Sequence, residues 1–378
     1  MFENKSNTKQ TSIKENLYGL DFLRAMAIIL VLLFHNLVLF PHPEWINHVG
    51  EFGWIGVDLF FALSGFLIAS QLFKKIVARH NLSIREFFIK RFFRIVPTYI
   101  VVLSLYFCFP ILRENPSLAP LWKYLTFTQN LGLDRNTQSA FSHAWSLCVE
   151  EQFYLFFPLS LIALRYFKSV SRGYILLISL FAFGFLARFY AWNELVSPFL
   201  NTEMLSTQWY KWMYYPTYAR LDGLLFGILV AGLFHFKPNL KDRIQNYGNL
   251  TLSIGLIVLS IAYLICQEEK SFNFALFGFP LVDLGCGFLV LAAISPSSIL
   301  YHFNSRFFST VATLSYSIYL IHKITIHVTQ EQIYNFGISK DSNTMLLLST
   351  STTILAAIFL NKCIEKPFMQ LREILLNK

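Results

Sequence analysis

Residues 23–36 read LRAMAIILVLLFHN. Ten uninterrupted apolar residues separate Arg24 from His35. The run has the length and polarity of a membrane-crossing helix, yet a guanidinium and an imidazole are both costly in hydrocarbon. On an α-helix, eleven positions are three turns plus about 20°, so the two side chains share one face about 16 Å apart. A pair on one face implies neighbours that need them, and the remaining sequence indicates which.

The composition supports a membrane setting. Of 378 residues, 55% are hydrophobic and only 14% are charged, with 40 Phe, 18 Tyr and 7 Trp. A soluble domain carries about 25% charge. The net charge of +9 comes from short basic blocks between apolar runs, which points to a membrane surface and away from nucleic acid. Five scattered cysteines without CxxC spacing read as small apolar packing residues, not as disulfides or metal ligands.

Ten apolar segments are long enough to be helical spans: about 22–40, 53–73, 95–112, 149–167, 173–192, 215–236, 248–266, 275–295, 309–328 and 343–362. With the N-terminus inside, alternation puts 21 Lys and Arg on the cytoplasmic side and 6 outside. That bias predicts an all-α, polytopic integral membrane protein of about ten spans with both termini cytoplasmic. Residues 1–16 form a polar tail, 17–367 the membrane domain and 368–378 a second tail. The long outer connection 113–148 contains LAPLWKYLTF, too short to span. Its length suggests a functional segment lying at the interface or dipping into the bundle.

Several polar groups sit where lipid would penalise them. Asp58 shares a face with Ala62, Gly65 and Ala69 in the second span, so it points into the bundle, where His35 is a plausible partner at matching depth. His143, Ser146, Glu150 and Tyr154 cluster on one face of the fourth span, whereas Glu151 lies some 100° away from Glu150. Arg220 and Asp222 lead the sixth span, followed by Gly223 and Gly227 at helix-packing spacing. Tyr316, Tyr319 and His322 recur every three residues in the ninth. Lys90, Arg91 and Arg94 stand at the cytoplasmic mouth of the third span, as an anchor or as an anion site. Plain alternatives exist for each: a snorkelling Arg24, a buried neutral His35, a capped helix start at the fourth span.

The depths suggest a division of labour. Arg24, Arg91 and Arg94 gather at the cytoplasmic edge, with His35, Asp58 and Glu150 some 15–20 Å farther out, by helix rise. A donor with phosphates at one end and a reactive group at the other fits, and acyl-coenzyme A is such a molecule. A neutral histidine could take the proton of an incoming hydroxyl, giving direct acyl transfer. No G-x-S-x-G nucleophile is present, and carboxylates beside Cys148 do not activate a thiol.

Six motifs in order then carry a resemblance: LDFLRAMAIILVLLFH, VDLFFALSGFLI, KRFFRIVP, HAWSLCVEEQFYLFFP, RLDGLLFG and SYSIYLIH. Together they resemble acyltransferase family 3, the membrane acyltransferases that include bacterial O-acetyltransferases of surface polysaccharides. The resemblance covers about Leu17 to Pro367. It implies essential roles for Arg24, His35, Asp58, Arg91, Arg94 and Glu150. It also implies acetyl-CoA as cosubstrate, with no permanently bound cofactor and no metal. The implied acceptor is a cell-surface glycan or lipid-linked sugar, such as lipopolysaccharide O-antigen, reached from the bacterial inner membrane. His143, Trp145, Ser146, Tyr154, Arg220, Asp222, Tyr319 and His322 are candidate substrate contacts. The chain resembles the stand-alone members that lack a hydrolase-like domain. Two other functions stay open: a transmembrane carrier feeding acyl groups to a separate transferase, and an acyltransferase acting on a small molecule.

Overall fold

A computed structural model describes residues 18–166 and 172–376. The tail 1–16 and the basic residues Lys168 and Lys378 lie outside the described residues. All regular structure among the described residues is helical. Ten long helices follow the ten apolar segments: α1 Tyr18–Leu39, α2 Ile55–Val77, α3 Ile84–Cys108, α4 Trp145–Tyr166, α5 Gly173–Ala191, α6 Asp222–Phe236, α7 Gly248–Cys266, α8 Phe279–Ala293, α9 Arg306–Tyr334 and α10 Asn343–Leu360. A final helix, α11, covers Lys366–Leu376, where the sequence reading placed a simple tail.

Eight helices among the described residues are long and apolar enough to cross a membrane, and the chain is an integral membrane protein. Counting α6 and the helix Pro238–Gln245, which meet at a 109° bend, as one broken span gives nine. The expected ten are thus not all of one kind. The α6 helix has 15 residues, short of the ~20 a span needs. It starts late because Pro216, with extended backbone, interrupts the chain ahead of it. The α9 helix is long, but His322, Lys323 and Gln330 lower its apolarity. The α3 helix begins 11 residues before the expected start, because Ser83 caps it by accepting from the Glu86 N–H at 3.2 Å. The basic lead-in is therefore part of the same helix.

Small residues let the central helices approach closely. A Cβ on Gly65 of α2 would strike the backbone of Leu224, and one on Gly227 of α6 would strike the backbone of Ala62 and Phe66. The small face Ala62–Gly65–Ala69 and the Gly223–Gly227 pair therefore pack α2 against α6. The outer helices α5, α7 and α10 turn large apolar side chains outward, including Leu186, Leu264 and Phe359. Cys148, Cys266 and Cys286 are buried, whereas Cys108 and Cys363 are exposed, so packing does not account for those two.

The connection between α3 and α4 folds inward. Tyr124, Gln129, Asn130 and Phe141 are fully buried. Asn130 donates to Thr217 Oγ1 at 2.8 Å and to the Tyr215 carbonyl, while Gln152 of α4 donates to the Phe127 carbonyl at 2.7 Å. Phe141 takes a left-handed conformation (φ 54°), which for a bulky residue costs about 1–2 kcal/mol. Stacking on Tyr106, with centroids 4.5 Å apart, holds it there and turns the chain into His143.

The α2–α6 approach has a direct test. Gly227→Ala should lower the thermal midpoint of the purified protein, corresponding to a loss of about 1–3 kcal/mol. Gly232→Ala, whose Cβ would meet only Phe73 Cε2 at 3.9 Å, should be neutral. Equal midpoints for both variants would contradict the close approach.

Candidate active site: two cavities on one helix

Arg24 and His35 line different cavities. The larger, of about 160 Å³, is walled by Arg24 of α1, Arg91 and Arg94 of α3, Glu150 and Tyr154 of α4, and Ser64 of α2. The smaller, of about 50 Å³, contains His35, His143, Trp145, Arg135 and Lys323. Val57 and Tyr319 line both. The two spaces therefore meet at these side chains, with the arginines at one end and the histidine at the other.

In the larger cavity the three guanidiniums are held differently. Arg24 lies 3.7 Å from Asp21 one turn earlier on α1. Arg94 is ion-paired with Glu365, whose other oxygen accepts from Ser317 Oγ at 3.0 Å. Arg91 stacks over Tyr154 (5.4 Å) and Phe87 (5.8 Å) and donates to Gln71 at 3.3 Å. Alone of the three, it forms no ion pair among the described residues. Three guanidiniums around one space attract an anion with several oxygens, and phosphate is the natural match. Glu150 faces the hydroxyls of Ser64 and Tyr154, which hydrogen-bond to each other.

At the other end, His35 Nδ1 lies 2.9 Å from the Val31 carbonyl. A carbonyl only accepts, so Nδ1 carries the proton and Nε2 keeps its lone pair. Its ring meets His322 edge-on at 4.8 Å and His143 at 6.0 Å. His322 Nδ1 in turn meets the Tyr319 carbonyl at 2.8 Å. Tyr319 donates its hydroxyl proton to the His143 carbonyl at 2.5 Å and accepts from Ser146 Oγ at 2.6 Å. The partition between the cavities is thus a hydrogen-bonded polar wall. Among the described residues, no group of three or more His, Cys, Asp or Glu is placed to hold a metal ion.

Asp58 is not beside His35. Its carboxylate accepts from Arg220 Nη2 at 2.5 Å, and both side chains are fully buried. Asp222 pairs with Arg188 of α5, also at 2.5 Å and buried. Arg220 is further enclosed by the rings of Phe279 (4.2 Å), Tyr214 (4.7 Å) and Trp145 (5.2 Å). Asp58, Arg220 and Asp222 line neither cavity. The small face of α2 correctly turned Asp58 inward, but the residue it meets belongs to the turn before α6. Glu150 also departs from expectation. It stands in the arginine cavity and not with His35, because α4 starts at Trp145 and descends past the partition. His143 and Trp145 stay in the histidine cavity, Ser146 and Tyr154 fall in the other, and Tyr319 serves both.

Four residues that matter here escaped the sequence reading. Arg188 was hidden in an otherwise apolar span. Glu365 sits in NKCIE, at the very end of the last apolar run, where a carboxylate looks like the start of a tail. Lys323 follows His322 and is 2% exposed, paired with Glu114 of the folded-in connection at 3.3 Å. Arg135 lies in a loop without periodicity. For Lys323 a signal existed: a lysine inside an apolar helix demands a partner.

With this geometry in view, residues 17–362 match the family model described as an acyltransferase domain. The chain is similar to the O-acetyltransferase OatA of Staphylococcus aureus (strain NCTC 8325 / PS 47), at 26% identity over 325 residues, covering 80% of this chain and 49% of that protein. A protein of S. aureus (strain COL), provisionally described as an O-acetyltransferase, is 26% identical over 370 residues, covering 93% of this chain and 57% of its own length. The chain therefore spans about half the length of the curated relatives it matches. No solved structure matches it.

The buried pair separates a structural role for Asp58 from a chemical one. Asp58→Asn takes away the carboxylate that Arg220 donates to, leaving nearby Asp283, which has no hydrogen bond to it, and should lose up to about 3–5 kcal/mol of stability, seen as a lower thermal midpoint. A normal midpoint with activity gone would return Asp58 to the chemistry.

Proposed function

The chain belongs to the acyltransferase-domain family, and from that premise we propose that it is an O-acyltransferase of the bacterial inner membrane. It moves an acetyl group from cytoplasmic acetyl-CoA to a hydroxyl of a cell-envelope carbohydrate. The observation that carries this reading is the adjacency of the two cavities. A space ringed by Arg24, Arg91 and Arg94 abuts, through Val57 and Tyr319, the space that holds His35.

In this reading the phosphates of the donor sit among the arginines, and its thioester reaches the partition. The acceptor hydroxyl enters from the histidine side. His35 Nε2 takes the hydroxyl proton as the oxygen attacks the thioester carbonyl carbon. The C–S bond then breaks, and the departing thiolate recovers the proton from the imidazolium. The Val31 carbonyl, by fixing the Nδ1 proton, keeps Nε2 available as the base. Glu150, facing the arginine cavity, acts on the donor side, where it shares the space with the otherwise unpaired Arg91.

The test is transfer of radiolabelled acetyl from acetyl-CoA to a cell-envelope glycan by the purified protein alone. Label appearing on glycan only after a second protein is added would favour an acyl carrier. His35→Ala should abolish transfer while donor binding stays within about twofold; normal turnover removes His35 as the base. Arg91→Ala should weaken binding of acetyl-CoA about tenfold or more, as loss of charge-assisted bonds implies. Binding of a truncated acetyl-pantetheine donor should change little. Equal losses for both donors would make Arg91 an anchor and not a phosphate contact.

A further inference from the structure

The cavity around His35 has an unanswered positive charge. Arg135, from the connection between α3 and α4, lines it with its guanidinium stacked over the Tyr210 ring at 4.2 Å. No carboxylate pairs with Arg135 among the described residues. Its neighbour Asp134 is engaged in accepting from the Asn136 N–H at 2.9 Å. The other cation of the cavity, Lys323, is neutralised by Glu114 at 3.3 Å and held by Ser142 Oγ at 3.1 Å. Glu114 also accepts from the Phe141 N–H, so it is fixed away from Arg135. In the adjoining cavity, which shares Tyr210 and Tyr214, Glu269 is paired with Lys270 and Glu51 stands among aromatic rings. The charge left over next to His35 is therefore a single guanidinium.

Two further features suit a sugar. Tyr210, Tyr214, Tyr215 and Trp145 give the cavity an aromatic wall, and ring faces of this kind take the apolar face of a pyranose. His143 is 2% exposed and lines the cavity; the Leu320 backbone can meet one ring nitrogen, and the other has no partner among the described residues. A buried polar group without a partner is costly, and a ligand hydroxyl supplies one.

We propose that the mouth of this cavity is an acceptor subsite selective for an acidic sugar, the small space itself taking the hydroxyl that is acylated and Arg135 binding a carboxylate carried near it. The proposal rests on the acyltransferase reading for its position beside the base. It names a substrate class that the reading leaves open.

Equilibrium binding tests it without turnover. The probes are oligogalacturonate, hyaluronate oligomers and sialyllactose, each beside its carboxyl-reduced neutral counterpart, on the purified full chain. At least one acid should bind about tenfold more tightly than its neutral partner, the scale of one charge-assisted contact. Arg135→Gln should erase that preference and leave neutral binding unchanged, and Arg135→Lys should retain part of it. No preference for any acid in the wild type overturns the proposal. So does an Arg135→Gln variant that loses acid and neutral binding alike, which would make Arg135 a prop for Tyr210. A retained acid preference with no acetyl transfer to any glycan would sink the acyltransferase reading and leave the subsite standing.

Discussion

The architecture depends on a charge pair that has no access to water. Arg220 and Asp58 meet at 2.5 Å with both side chains fully buried, in a bundle whose outer surface faces hydrocarbon. Removing either ion would strand the other at a cost of several kcal/mol. That penalty holds α2 to the turn before α6, which Pro216 keeps out of the helix. The same turn carries Tyr214 and Tyr215 into the histidine cavity, and Trp145 packs over the Arg220 guanidinium from the start of α4. Arg188 and Asp222 repeat the arrangement one layer away, tying α5 to α6. Charged residues that look catalytic in a membrane sequence thus form the frame on which the cavities are built.

Four helices, α1, α2, α4 and α9, line both cavities. The α1 helix places Arg24 in one and His35 in the other. The α4 helix brings Ser146, Glu150 and Tyr154 to the arginine side, with Trp145 and the preceding His143 on the other side of the partition. The separation suits the proposed reaction, which keeps a charged donor and a polar acceptor in different compartments until they react. Water beside the base would compete with the acceptor hydroxyl, and Val57, Ser146 and Tyr319 stand between the two spaces.

The positions of the helices were legible in the sequence because apolar runs near twenty residues leave few choices. So was the sharing of a face by Arg24 and His35, since helical periodicity alone places them. Depth and face were not enough to name partners. Asp58 and His35 stand at similar depth and both point inward, yet a backbone carbonyl orients the histidine and an arginine from a non-helical turn takes the carboxylate. Glu150 lies on the arginine side of the partition, because the first turn of α4 starts at the histidine level and five residues of rise carry it past. The connection holding Glu114, Arg135 and Phe141 has no period to read. Its inward fold depends on buried side-chain contacts to α4 and to the turn before α6, which are contacts between segments far apart in the chain.

In the proposed mechanism donor and acceptor meet at the Tyr319 partition from opposite cavities. A cryo-electron microscopy map of the protein with a non-hydrolysable thioether analogue of acetyl-CoA tests it most directly. The phosphates should lie among Arg24, Arg91 and Arg94, with the acetyl end against Tyr319 and turned toward His35 Nε2. Phosphates bound at the Arg135 end, or an acetyl group that stops short of the partition, would contradict it.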